Sequence, residues 1–582
     1  MTVNMRKLSD LTRTAPAVRR FLREEDGSLL ILSLQIFIIM MITLGIAIDF
    51  VRFEERRALV QSTLDRAALA AASLNQKVDP ETVAKDYIDK AGLSHLNAQP
   101  KATGGLNDEW RRVEITVQDT MPTIFGPIMK INSLSSEVSS AAEESVGTVE
   151  ISLVLDVSGS MNESVSYTDP STGKAVTSTR IAVTQSAANS FIGQMFDTIQ
   201  TPTAPAGRLA ISIVPYNQNV VLGSTLTKGY TLSTDVSNGS YAKTCIDLHE
   251  ADFGTLGIDA NVTQQRTMYG DSVFSYDFNV SPWATWSIEN CVENSSRAIL
   301  AYGNNETVLK QKITDLVASG DTAIDFGAKW GMALLDPLAA PAITKLIAST
   351  DVSNDLKGHP FNYTNVSGNS SNTAMKVLVL MTDGENTRSY STRPAFRTGP
   401  SGLKTTSSTA KLTLTTDYWG NISGYSTTGL YYYDATRNPS YYNFKSGTWQ
   451  GKPTSTLYDI TFDTLWKTQK LSVHWMTDKV FSRPYGTTTA IKDATYNKMA
   501  LRSQFADKDA NLLKLCKAAK AKGVKVFTIA IDVADTSNGA KVLKACAEEG
   551  IGSGKYYKTS SGQLSTTFAS IAKKITALRL VE

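Results

Sequence analysis

Residues 29–48 read LLILSLQIFIIMMITLGIAI, twenty positions without a charge. At 1.5 Å per residue a helix of that length covers about 30 Å, the thickness of a bilayer's hydrocarbon core. The run therefore predicts one transmembrane helix. A cleaved secretory signal is the alternative, but the run is longer than an ordinary signal core and leads into IDFVRFEERR without a small-residue cleavage site. Arginines lie on both sides, Arg13, Arg19, Arg20 and Arg23 before the run and Arg52, Arg56 and Arg57 after it, so basic count alone barely orients the helix. The short arm 1–28 is the easier part to leave in the cytoplasm, which places residues from about 50 onward on the far side.

Cysteine usage agrees with that side. Cys245, Cys291, Cys516 and Cys546 all lie in the large C-terminal part, an even number in a place that favours an oxidising compartment. Cys516 and Cys546 sit on helical patterns flanking VKVFTIAID and are expected to pair; Cys245 and Cys291 are left open between a disulfide and free thiols. Zinc is not expected, because no CxxC pair occurs and His95, His249, His359 and His474 are scattered singly. The chain has 58 basic and 55 acidic residues and no long run of one sign beyond the N-terminus, which argues against nucleic acid as a partner.

After the apolar run Val60, Leu64, Ala67, Ala68 and Ala71 recur at helical spacing, so one helix is expected to continue to about Leu74. A short helix from Pro80 to about Leu93, a turn at Gly104 and Gly105 and a half-buried strand over 111–120 complete a small helical and β region, 49–147. From 148 to 582 the pattern becomes α/β. Buried strands VEISLVLD (149–156), RLAISIVPYN (208–217), KVLVLMTDGEN and VKVFTIAID alternate with helical segments at 179–196, 305–318 and beyond, which predicts a mainly parallel sheet with helices on both faces. Two polar stretches, about 218–300 and 387–500, are rich in Ser, Thr, Asn, Gly and Tyr and lack helical periodicity. They read either as solvated loops with some strand or as a contact surface in which tyrosines supply area at low entropic cost.

The chemistry lies where strands end. Asp156 closes one buried strand in DVSGSM, Asp383 closes another in MTDGEN, and binding sites in such sheets form beyond the carboxyl ends of the strands. Ser158 and Ser160 follow Asp156 on alternate residues, and Thr322 in SGDTAID sits in a loop feeding a helix. Two carboxylates and three hydroxyls suit a small hard cation, Mg²⁺ or Mn²⁺, with room for waters and one external ligand.

DVSGSM, the threonine of SGDT and TDG together resemble the metal-ion-dependent adhesion site of a von Willebrand factor type A domain. The resemblance implies a Rossmann-like fold, metal ligation by Asp156, Ser158, Ser160, Thr322 and Asp383, and completion of the ion by an acidic residue of a protein partner. The basic arm, REEDGSLLILSLQIF, GIAIDFVR and the alanine-rich LVQSTLDRAALAAA are similar to the anchor of TadG-like proteins of the Flp/Tad pilus system, as is LLKLCKAAKAKGVKVFTIAIDV near the C-terminus. By that likeness the chain is a single-pass protein of a bacterial cytoplasmic membrane with its large part periplasmic or extracellular, a non-catalytic module in pilus assembly or anchoring whose partners are other envelope components.

A surface adhesin for a host or matrix protein would use the same site, and the site could be degenerate and bind nothing. Prepilin-type cleavage after Gly27 is disfavoured because the fifth residue beyond it is Leu32 rather than a glutamate. A metal-dependent hydrolase is disfavoured because an aspartate nucleophile usually needs a second carboxylate two residues on, where Ser158 stands, and no GxxxxGK[ST] or HExxH motif occurs.

Overall fold

The computed structural model describes residues 26–73, 78–103, 110–145, 148–168, 172–202, 204, 206–234, 243–268, 290–363, 373–418, 422–469, 471–548, 555–576 and 579–580. They form two compact units, Met1–Val146 with Leu578–Glu582, and Gly147–Ala577.

In the first unit helix α1 runs unbroken from Asp26 to Ala72. Among the described residues it is the one single helix long and apolar enough to cross a membrane. Its first half shows its apolar side chains to the outside, Leu29 71% and Met40 62% exposed. Its second half is ordinary amphipathic helix, with Val60, Leu64, Ala67, Ala68 and Ala71 buried in a core shared with Ile88 of α2 (Pro80–Lys90) and Ile115 of the sheet. That sheet holds β1 (Lys101–Thr103), β2 (Trp110–Pro122) and β3 (Ser133–Ser145), with a two-residue strand, Arg579–Leu580, paired to β3. Small alanines on α1 let the hairpin β2–β3 lie close against it, and polar contacts set the register. Arg56 makes a two-pronged contact with Asp119, 2.6 and 2.9 Å, and buried Arg111 donates to Ser73 O at 2.5 Å. Neither β3 nor the returning C-terminal strand is legible in the sequence; the alternation in SLSSEVSSAAEES is of small against polar residues.

The second unit is built on a sheet in the order β16 (Lys555–Thr559), β15 (Lys525–Ile531), β9 (Thr373–Thr382), β4 (Val149–Asp156), β7 (Leu209–Tyr216), β8 (Leu300–Gly303). All neighbours are parallel except β8, which runs antiparallel to β7. β4 is buried along its whole length because helices cover both faces. On one face Ser152 of β4 donates to Gly331 O of α5 (Ile324–Leu335) at 2.8 Å. On the other, Thr184 of α3 (Arg180–Thr198) meets Met381 Sδ of β9 at 3.8 Å, and Phe191 of the same helix packs on Phe568 of the closing helix α9 (Leu564–Ile575). The fold is thus mixed α/β with a mostly parallel sheet.

Helix α5 lies unusually close to the sheet. A Cβ on Gly331 would stand 2.4 Å from Val154 Cγ2, and one on Gly327 2.5 Å from Tyr216 Cδ1, so two glycines one turn apart set the approach. Over α5 lie the described parts of the first polar stretch, which bury Val220, Leu222, Leu226 and Tyr230 in the same core as Trp330; residues 235–242 and 269–289 of that stretch lie outside the described residues. The second stretch is a folded layer and not solvated loop. Strands β10 (Pro400–Thr405), β11 (Leu430–Tyr433), β12 (Tyr441–Asn443), β13 (Thr448–Gln450) and β14 (Tyr458–Thr461) form an antiparallel sheet in the order β13-β12-β11-β10-β14. It covers a core of its own that includes Leu403, Tyr442, Ile460, Trp466 and Trp475. Tyrosine and threonine favour strands yet read as polar, so the layer forms without an apolar run to mark it.

Cys245 pairs with Cys291, and Cys516, on α7 (Phe505–Ala521), pairs with Cys546, on α8 (Asn538–Glu548). The second bond ties together the two helices that flank β15 and closes a loop of 30 residues. Replacing both Cys516 and Cys546 by alanine is expected to lower the unfolding free energy of this unit by about 3–4 kcal/mol, from loop-closure entropy. Urea unfolding of the variant beside the oxidised parent measures it.

Candidate metal centre

The parallel order places the carboxyl ends of β4, β9 and β15 side by side. Each ends in or is followed by an aspartate, Asp156, Asp383 and Asp532. Asp156 is fully buried and fixed by two donors: Ser158 N–H reaches Oδ1 at 2.8 Å and the Thr382 hydroxyl reaches Oδ2 at 2.6 Å. Ser158 Oγ and Ser160 Oγ are 3.0 Å apart, and Ser160 Oγ donates to Asp383 Oδ1 at 2.7 Å. Four of the five sequence-predicted ligands therefore form one hydrogen-bonded chain. Thr322 lies beside the group and not in that chain: a Cβ on Gly384 would stand 3.8 Å from its Oγ1, so the hydroxyl is near the turn after Asp383.

Loops are held in place by backbone bonds. Gly159 N donates to Gly320 O and Ser319 N to Val157 O, both at 2.8 Å, which ties the DVSGSM turn to the loop carrying Thr322. Thr387 N and Oγ1 both donate to Thr322 O at 2.8 Å, tying the same loop to the turn after Asp383. Gly320 has φ +87° and a Cβ there would lie 2.0 Å from Gln218 Oε1, so only glycine fits. Beyond Thr322 the first turn of α5 is capped from another segment, with Asn386 Oδ1 accepting from Ile324 N at 2.7 Å.

Burial, and then the nearby charge of Asp383, push the Asp156 carboxyl well above the usual carboxylate range. Burial also raises Asp383, opposed by the hydrogen bond from Ser160 and by the Arg180 guanidinium. Arg180, at the start of α3, spans the rim: its Nη1 lies 2.7 Å from Glu163 and 3.1 Å from Asp383, and its Nε 3.5 Å from Asp532. The donor set is wholly oxygen, converges from three loops and carries two buried carboxylates that repel one another. Such a group fits a hard divalent ion, whose charge would relieve both the burial and the repulsion. Asp156, Ser158, Ser160, Thr322 and Asp383 are the residues that could hold it.

Sequence reasoning did not find Arg180, Thr382 or Asp532. Asp532 carries the signal that found Asp156, an aspartate closing an apolar strand. Thr382 stands beside a predicted ligand but inside the strand. Arg180 has no signal, since only the hairpin of β5 (Ser164–Thr168) and β6 (Ala175–Thr179) returns it to the site.

No protein-family model matches the chain, and no curated protein matches it. Among solved structures it is similar to the PilB minor pilin from Streptococcus sanguinis, at 12% identity and a TM-score of 0.27, over 83% of this chain and 79% of that one. It is also similar to the vWF domain of the type V pili tip protein Mfa5 from Porphyromonas gingivalis, at 12% identity and a TM-score of 0.27, over 74% of this chain and 95% of that one.

Directly below the rim, Asp325 of α5 forms a wholly buried ion pair with Lys508 of α7, 2.7 Å apart, and the ammonium also lies 4.1 Å from the centre of the Phe326 ring. Burial raises the Asp325 carboxyl and Lys508 opposes the rise. Lys508→Met is expected to cost about 3–5 kcal/mol by stranding that carboxylate, whereas Asp325→Leu with Lys508→Met should fall near the parent. Chemical denaturation of the single and double variants measures the difference.

Proposed function

We propose that the chain is a membrane-anchored, non-catalytic binding protein whose α/β unit is a von Willebrand factor type A domain. Mg²⁺ or Mn²⁺ would be held by Asp156, Ser158, Ser160, Thr322 and Asp383, and the ion completed by an acidic residue of a protein partner. The observation that carries the reading is the hydrogen-bonded chain from Asp156 through Ser158 and Ser160 to Asp383, in which Ser160 and Asp383 are 223 residues apart in sequence. A metal bound from one side by such a rim leaves coordination free for an incoming carboxylate.

Supporting a binding role over hydrolysis, the basic group touching the carboxylates is Arg180, and a guanidinium keeps its proton and does not serve as a general acid or base. α1 supports the anchor, and two disulfides support an oxidising, non-cytoplasmic side for residues beyond about 50. Placement in assembly or anchoring of Flp/Tad pili rests on the sequence likeness of the anchor and the alanine-rich helix. The adhesin reading shares the site and differs only in the partner.

Calorimetric titration of the full chain with Mg²⁺ and Mn²⁺ tests the centre. Asp156→Ala is expected to weaken binding by on the order of a hundredfold or more and Thr322→Ala by roughly tenfold, since one loses a charged ligand and the other a neutral one. Arg180→Gln should strengthen binding about tenfold by removing a positive charge that shares Asp383. No metal binding by the parent, or phosphoester hydrolysis that needs both Asp156 and metal, would defeat the reading.

A further inference from the structure

The loop joining β2 to β3 carries a cluster of exposed apolar residues that nothing in the first unit covers among the described residues. Ile124 is 59% exposed, Ile128 62%, Met129 53% and Ile131 45%. A soluble loop of this length would normally be polar, and four large aliphatic side chains at one hairpin tip mark a contact surface.

The position of the tip says what it contacts. The Asp49 carboxylate, buried on α1, accepts from three consecutive amides of the tip, Ile124 N at 2.9 Å, Phe125 N at 2.7 Å and Gly126 N at 2.9 Å. One turn earlier on the helix, a Cβ on Gly45 would lie 2.7 Å from Phe125 Cγ, so the glycine leaves room for the ring. The tip is thereby fixed level with residues 45–49, the last turn of the apolar run. Beside it on α1, Phe50 and Val51 are 57% and 56% exposed, and Arg52, whose Nη1 lies 3.6 Å from Asp49 Oδ1, is the first basic residue after the run.

We infer that the β2–β3 tip inserts into the outer boundary of the same bilayer that α1 spans, with Ile124, Ile128, Met129 and Ile131 among the acyl chains. The inference rests on the membrane reading of α1. Asp49 and the tip make each other tolerable at that depth: the carboxylate is satisfied by amides and not by water, and three amides that strand pairing leaves over are satisfied by the carboxylate. The four helical steps from Gly45 to Asp49 rise about 6 Å, within the depth at which amphipathic elements sit in the headgroup and acyl boundary. Exposed Lys130 at the tip can reach back to lipid phosphates while its stem stays among the chains. A hairpin so embedded fixes the rotation of α1 about its own axis as well as its depth, which a lone helix does not do.

The test uses the full chain in phospholipid vesicles under non-reducing conditions, where the four native cysteines are bonded and an engineered thiol takes the label alone. A spin label is placed in turn by Ile128→Cys, Met129→Cys, Leu44→Cys and Ser135→Cys, and its collision rates with oxygen and with a water-soluble nickel chelate are compared. Labels at 128 and 129 are expected to favour oxygen as strongly as the label at 44 within about twofold, with 135 favouring nickel. Labels at 128 and 129 open to nickel while 44 favours oxygen would overturn the tip's insertion and leave the span standing. Nickel access at 44 would overturn both. Shielding of 128 and 129 from both reagents would show a protein surface in place of lipid, and also overturns the inference.

Discussion

The carboxylate of Asp156 is the interaction on which the α/β unit turns. It lies at the end of a strand buried on both faces, where an uncompensated charge would be intolerable. Its two partners come from different places, a backbone amide two residues on and a hydroxyl from the neighbouring strand. The first folds the chain back into the serine turn, and the second locks the end of β9 beside the end of β4. Once those ends are level, Asp383 is carried to the rim and Ser160 can bridge to it. The site is therefore a consequence of strand register, and the register is set by the pairing of Val154 with Leu380 and Val214 in the middle of the sheet.

The same logic places Thr322. Its loop is stitched to the serine turn on one side and to the turn after Asp383 on the other, both by bonds to backbone carbonyls, so its backbone is fixed and only the χ1 torsion is left to place the hydroxyl. Below it, α5 is pressed onto the sheet through Gly327 and Gly331 and held by the ion pair of Asp325 with Lys508. A buried ion pair is weak evidence of stability, because desolvation offsets much of the attraction. Its geometry is more informative: it joins α5 to α7 directly beneath the loop that presents Thr322, where a purely apolar contact would allow sliding.

How much of this was legible follows from what each signal depends on. The apolar run, the alternation of buried strands with helices and the oxygen residues at strand ends depend on local sequence, and their elements fall within a few residues of expectation. The rim's shared arginine depends on a hairpin of polar residues, which has no hydrophobic signature and reads as loop. The antiparallel layer within 387–500 depends on tyrosines and tryptophans pairing across strands of three to six residues, too short to show a period. The antiparallel edge strand β8 is four residues long, and the apolar run AILAY that marks it is too short to separate a strand from a turn of helix. Asp532 is the exception, since it closes an apolar strand as Asp156 does; the other elements missed are short or polar, with no apolar period to mark them.

Asp49 and Asp156 show how one device yields a staple in one unit and a site in the other. Each is a buried aspartate that gathers a loop by accepting hydrogen bonds. Asp49 takes three backbone amides, which can only donate and cannot turn away, with the Arg52 guanidinium 3.6 Å off, so the contact is structural. Asp156 takes one amide and one hydroxyl, and the chain continues through Ser158 and Ser160, whose hydroxyls can donate or accept by rotating about a single bond. A cation entering beside Asp156 would need those hydroxyls to present lone pairs in place of protons, and nothing in the backbone has to move for that to happen. The difference between amide and hydroxyl partners, and the second carboxylate at Asp383 against none at Asp49, is why the first aspartate can only hold a hairpin whereas the second has the chemistry to hold an ion.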